Sequence, residues 1–248
     1  MIPLRDSAAP RRLTPVNSVL IAVNLAIFIY ELMLGPDAIG FIARFAMVPA
    51  RLSAATGALG AMLAQAAASP APVAIVAPLA TILSSMFLHG GIWHIAGNML
   101  YLFIFGAAVE CRMGSRRFLA FYFASGIAAA IATVAIAPAS PVPVIGASGA
   151  IAGVLGAYFI LYPRGRILTA LPIFVYLPMF DIPAVIYLLI WFGVQLYAGI
   201  AAGSQGAIVG GVAWWAHIGG FLFGMLAGPM LARKEKRRCV RRGLWMRG

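Results

Sequence analysis

Along the chain, polar positions are gathered into intervals that separate six long stretches in which hydrophobic residues follow one another without alternation. The stretches fall near 17–35, 92–111, 116–137, 145–162, 183–202 and 212–231. About 20 apolar residues at a rise of about 1.5 Å cross roughly 30 Å of hydrocarbon. In that solvent every backbone amide needs an internal partner, so a span is a helix or a strand of a closed barrel. Runs such as Ile145–Tyr162 lack the alternation of a strand. The pattern predicts an all-α polytopic membrane protein with six transmembrane helices.

The interval 36–91 reads as one long first loop. Gly90 and Gly91 break any helix continuing from Leu79–His89 into the second span, which leaves a partly embedded helix at the loop's end. Ala54–Ala77 carries no charge and is rich in Ala, Gly and Pro, which predicts a loop on or in the membrane interface rather than a soluble domain. The expected organisation is an amino-terminal segment 1–16, a membrane domain 17–231 and a basic tail 232–248.

Composition agrees: 63% of the 248 residues are hydrophobic and 10% charged, and the mean hydropathy of +0.98 exceeds what a soluble domain carries. The formal net charge of +12, from 18 Lys and Arg against 6 Asp and Glu, raises the question of nucleic acid. Position answers it, because eight of those cations lie between Arg233 and Arg247, directly after an apolar run, where a chain meets anionic lipid headgroups. The expected partner is therefore the bilayer and not nucleic acid. The amino terminus, the loop with Arg112, Arg116 and Arg117, the loop with Arg164 and Arg166, and the tail together hold 16 of the 18 cations. That bias predicts both termini in the cytoplasm, which an even number of spans permits. Val19–Tyr30 follows Arg5, Arg11 and Arg12 as in a signal peptide, but without a clear small-residue cleavage site it reads as a retained first helix. Cys111 and Cys239 are too few for a disulfide framework, and beside cytoplasmic basic loops they are expected to stay reduced.

Polar or ionisable groups inside a span are costly, which makes each a functional candidate. The candidates are His94 and Asn98 in the second span, Ser148 in the fourth, Gln195 in the fifth and His217 in the sixth. His89 and His94 are five apart with no acid beside them, which does not make a metalloprotease site, and the second to sixth spans hold no carboxylate except Glu110 at a cytoplasmic end, which leaves none there for a proton relay or an aspartyl dyad. No metal or cofactor is expected. Serine chemistry remains, in which a neutral imidazole takes the hydroxyl proton and donors hold the developing oxyanion.

Ser148 begins the short fourth span and His217 lies about one and a half turns into the sixth, so the two share a depth. Small residues recur every four positions on both helices, as Gly149, Gly153 and Ala157 and as Ala216, Gly220, Gly224 and Gly228. Such ridges let two backbones approach closely and would bring hydroxyl and imidazole together. Taken singly, a membrane serine or histidine more often makes a hydrogen bond within the bundle. His94 and Asn98 share one helix face at i and i+4, as mutual partners or as joint donors to one buried spot; the sequence permits both.

The segments His89-Gly-Gly-Ile-Trp-His94-Ile-Ala-Gly-Asn98, Gly146-Ala-Ser148-Gly149 and Ala216-His217-Ile-Gly-Gly220-Phe-Leu-Phe-Gly224, with Glu110-Cys-Arg112 after the second span, closely resemble the rhomboid intramembrane proteases. The resemblance covers about 17–231 in order and spacing. It implies a bacterial-type six-helix serine endopeptidase, in the bacterial inner membrane, that cuts transmembrane segments near the outer face. It further implies Ser148 as nucleophile, His217 as base, and His94, Asn98 and the Gly146–Ser148 backbone around the oxyanion. Glu110 and Arg112 would brace the first loop. Substrates would enter past the fifth helix or beneath the loop after it. A non-catalytic rhomboid-like binding and delivery factor is the alternative. One departure stands out, since some members carry an aromatic four residues after the serine, stacked on the histidine, and here that position is Ala152.

Overall fold

In a computed structural model, residues 1–8, 14–65, 73–171, 176–202, 208–209 and 212–233 are described. Arg11, Arg12, Cys239, most of the basic tail and the stretch 66–72 of the first loop lie outside them.

Helices occupy all six predicted positions: α1 (Pro15–Met33), α5 and α6 (Ile92–Tyr101 and Ala107–Met113), α7 (Ser115–Ile136), α8 (Ser148–Leu161), α9 (Ala184–Ala202) and α10 (Trp214–Leu231). Among the described residues, Pro15–Met33, Ile92–Met113, Ser115–Ile136 and Ala184–Ala202 are long and apolar enough to cross a membrane. At 14 residues α8 is short, about 21 Å of helix. It is also the most enclosed, with every residue from Gly149 to Tyr158 buried. A helix sheathed by protein does not have to match the hydrocarbon thickness, because its ends meet loops and not lipid.

Between α5 and α6 the chain makes a π-helical turn, Leu102–Gly106, without interrupting the span. One wide turn rotates the two halves relative to each other. Asn98 above it and Glu110 below it are both buried, in different surroundings.

The first loop is more helical than its composition suggests, with α2 (Ala38–Phe45), α3 (Pro49–Gln65) and α4 (Val73–Ser84). Alanine is the best helix former, so an Ala-rich uncharged stretch need not be a loop. The expected break at Gly90 and Gly91 is present, Gly91 adopting φ of 153° immediately before α5. The loop is stitched to the segment preceding α8 by an antiparallel bridge between Met47 and Val144 and by the Gly146 amide donating to the Ser85 carbonyl at 2.8 Å.

Two small sheets were not expected. β1 (Ile2–Asp6), β2 (Arg166–Ala170) and β3 (Met179–Pro183) form an antiparallel sheet with β2 central, Ile2 opposite Ala170 and Ile167 opposite Ile182. β4 (Ile208–Val209) pairs with β5 (Val212–Ala213) just ahead of α10. Strands of two to five residues are too short to show alternation in sequence, and pairing alone defines them.

Cys111, expected as a reduced thiol, is disulfide-bonded. The expectation rested on compartment chemistry alone.

Candidate active site

The ridge expectation can be tested pair by pair. A methyl group built on Gly220 would run into the Gly149 carbonyl, one on Gly224 into the Gly153 carbonyl, and one on Gly228 would stand 2.7 Å from the Ala157 Cβ. The small residues of α8 and α10 therefore face each other in register, with backbones closer than any side chain permits. At one end of this seam the Ser148 Oγ and His217 Nε2 lie 2.8 Å apart.

Ser148 is the first residue of α8, after Gly146 at φ of 118°. Only glycine adopts that conformation without strain. The absent side chain also makes room, since a Cβ on Gly146 would come within 2.7 Å of the His94 Nε2 and 3.6 Å of the Ser148 Oγ. At this helix start the leading amides, that of Ser148 included, have no carbonyl four residues back within the helix to bond, and the helix dipole adds positive potential.

His94 and Asn98 are brought to the same place but not as mutual partners. The Gly90 amide donates to His94 Nδ1 at 3.4 Å, which leaves Nε2 as the protonated nitrogen, turned toward Gly146. Asn98 is 7% exposed and its Nδ2 has no hydrogen-bond partner among the described residues. A buried amide donor without a partner costs free energy unless a ligand or water supplies an acceptor. Both donors and the Ser148–His217 pair line one cavity of about 700 Å³. His89 packs edge-on to His94 at 5.1 Å between ring centroids, and its own amide donates to the Glu31 carboxylate at 3.3 Å.

Ala152 is fully buried and lies 3.3 Å from where a Gly220 methyl would stand. The closeness of α8 and α10 excludes an aromatic ring there. Rings reach His217 from elsewhere: Trp191 of α9 lies 6.0 Å away at a tilt of 36°, and Trp214 of α10 lies 6.3 Å away, edge-on at 86°. Gln195, one turn after Trp191, accepts a hydrogen bond from His217 Nδ1 at 2.7 Å. Gln195 stands in the sequence as a costly polar group without an evident partner, and its i, i+4 spacing from Trp191 is the signal that places both on one face of α9.

Glu110 and Arg112 are placed differently from the expectation. Glu110 accepts the amides of Val16 at 3.2 Å and Asn17 at 2.6 Å and the Ser115 hydroxyl at 2.6 Å, so it caps α1 and not the first loop. Arg112 donates to the Arg233 carbonyl at 2.8 Å, at the end of α10. The motif joins helix ends far from Ser148. Its sequence position after the second span was correct, but which neighbour it reaches depends on packing.

As chemistry, the arrangement offers a hydroxyl bonded to a base, a base bonded to an acceptor, and unpaired donors converging on one cavity. Comparison with known proteins identifies the family. A family model described as Rhomboid domain matches residues 77–234. The chain is 31% identical over 179 residues to Rhomboid protein 1, mitochondrial, of Saccharomyces cerevisiae, covering 66% of this chain and 46% of that protein. It is 32% identical over 165 residues to the human Presenilin-associated rhomboid-like protein, mitochondrial, covering 63% and 38%. It is 50% identical over 76 residues to Rhomboid protease GluP of Bacillus subtilis, covering 31% and 14%. The chain thus spans less than half the length of these relatives.

Proposed function

Because the chain belongs to the rhomboid family, a family of polytopic membrane proteins, we propose that it is an intramembrane serine endopeptidase acting on transmembrane segments of other proteins. The observation that carries this reading is the 2.8 Å contact between Ser148 Oγ and His217 Nε2, set in a cavity that the Asn98 Nδ2, unpartnered among the described residues, also lines.

In the proposed reaction, His217 Nε2 takes the Ser148 proton as Oγ attacks the scissile carbonyl. The carbonyl oxygen becomes an oxyanion, held by Asn98 Nδ2, His94 Nε2 and the Ser148 amide. The imidazolium then gives its proton to the leaving amine, and the peptide bond breaks to leave an acyl ester on Ser148. Water, activated by the same imidazole, hydrolyses the ester and restores the hydroxyl. No carboxylate takes part.

Substrates would pass α9, whose outer face exposes Leu189, Val194, Tyr197 and Ile200 to lipid. The charge bias supports a six-span domain over 17–231 with segments 1–16 and 232–248 both on the cation-rich side. Reporter fusions at each loop test that topology.

Purified protein incubated with a tagged single-span substrate is expected to release a fragment that Ser148→Ala abolishes. Equal cleavage by that variant would sink the proposal. A fluorophosphonate probe separates a protease from a binding factor, since only an activated Ser148 forms the adduct.

A further inference from the structure

We infer that Gln195 is the positioning residue for His217, fixing its tautomer and ring plane in place of a third carboxylate. The inference rests on the serine protease reading above and adds to it a residue on a third helix.

The direction of each hydrogen bond around His217 is forced. The Gln195 Nε2 donates to the Trp191 carbonyl at 3.4 Å. A backbone carbonyl only accepts, so the amide orientation is set and Oε1 faces His217. Oε1 in turn only accepts, so at 2.7 Å the His217 Nδ1 must carry a proton. In a neutral imidazole that leaves the Nε2 lone pair directed at the Ser148 hydroxyl, 2.8 Å away. One carbonyl on α9 thereby specifies the direction of every hydrogen bond up to the nucleophile. Gln195 is 6% exposed, so water does not readily replace it.

The arrangement also answers the loss of an aromatic at Ala152. Trp191 is one turn from Gln195 and tilts against the imidazole, so a single face of α9 supplies both the ring contact and the acceptor. An amide serves where a carboxylate would be expensive, since it needs no counter-ion in hydrocarbon, yet its oxygen still stabilises the imidazolium formed during reaction. The ionisable group facing His217 from α5 is His94, and Ser148, Gln195, Trp191 and Trp214 complete its surroundings.

The test measures kcat and KM for a tagged single-span substrate from about pH 5 to 9, with the full chain in lipid nanodiscs. Gln195→Leu keeps the bulk but removes the acceptor, and kcat is expected to fall roughly 10- to 100-fold with KM little changed. Gln195→Glu restores the acceptor and adds a charge, so activity returns while the acidic limb of kcat/KM moves up by about one pH unit or more. A packing role alone predicts that leucine is tolerated and that glutamate leaves the limb in place, and either result overturns the inference. Should the leucine variant fail to fold, the glutamate limb decides. Wild type and Ser148→Ala are run alongside: if they cleave alike, the protease reading itself fails, whereas normal wild-type kinetics with an indifferent Gln195 removes only this inference.

Discussion

Gly220 lies so tightly over Gly149 that a methyl group on the one would overlap the carbonyl oxygen of the other. Because Ser148 and His217 flank this contact, the separation of α8 and α10 sets the distance between the Ser148 hydroxyl and the His217 imidazole. A backbone carbonyl cannot swing aside as a side chain can, so added bulk must push the helices apart. Gly220→Val is expected to cost about 1–3 kcal/mol of stability and, at a shift near 1 Å, roughly 100-fold in kcat. Thermal unfolding in detergent and cleavage kinetics measure the two effects, and a variant with wild-type kinetics would show that the seam does not set the dyad.

The donors opposite the dyad make a different prediction. Asn98 Nδ2 is buried without a partner, so its removal breaks no bond that holds the fold together. If it waits for an oxyanion, Asn98→Ala should lower kcat by roughly 10²- to 10³-fold while KM changes little. Its melting temperature should match the wild type, and a fall in stability with kcat intact would assign Asn98 to the bundle.

These two sites show where sequence was informative. Period-four ridges and unalternating runs are one-dimensional consequences of helix geometry, so the helix positions, the Gly149–Gly220 seam and the common depth of Ser148 and His217 could be read directly. Gln195 was visible as a polar residue in a span, but its partner is set by the rotation of α9, which no period encodes. The Tyr158 hydroxyl donates to the Asp6 carboxylate across 152 positions, a bond that only the fold reveals. The β1–β2–β3 sheet was hidden for another reason, since each strand is short and half of its pairing lies in another loop. Glu110 failed by destination: its place in the chain was read correctly and its partner was not.

That destination is itself testable. Glu110 accepts two amides at the start of α1 and the Ser115 hydroxyl, three hydrogen bonds to one buried carboxylate. Hydrogen bonds to charged groups contribute about 1.5–3 kcal/mol, and losing a helix cap typically costs about 1 kcal/mol. Glu110→Ala is expected to lower the melting temperature clearly while folded molecules keep their kcat, because Glu110 lies far from the cavity. Turnover per fluorophosphonate-labelled site separates the two quantities, and a kcat loss without a stability loss would contradict the capping role.

The amino-terminal strand supplies a pH dependence. Asp6 is 3% exposed, its Oδ1 accepts the Tyr158 hydroxyl and the Ala8 amide, both at 2.5 Å, and its Oδ2 is buried without a partner among the described residues. Burial raises its pKa from 3.8 to about 6, the hydrogen bonds from Tyr158 and Ala8 offsetting only part of the desolvation. For an acid, a raised folded pKa means that docking favours the protonated form. Its contribution is therefore fully present below pH 3.8 and is lost as pH rises to about 6. The loss amounts to about 3 kcal/mol from a shift near two units. β1 should exchange its amides faster as pH rises through this window, once the intrinsic pH dependence of exchange is removed. Asp6→Asn keeps an acceptor for Tyr158 without a charge, so its β1 protection should be flat over the same range and exceed the wild type at neutral pH. A wild-type profile that is equally flat would mean that Asp6 is neutral throughout or that water reaches it.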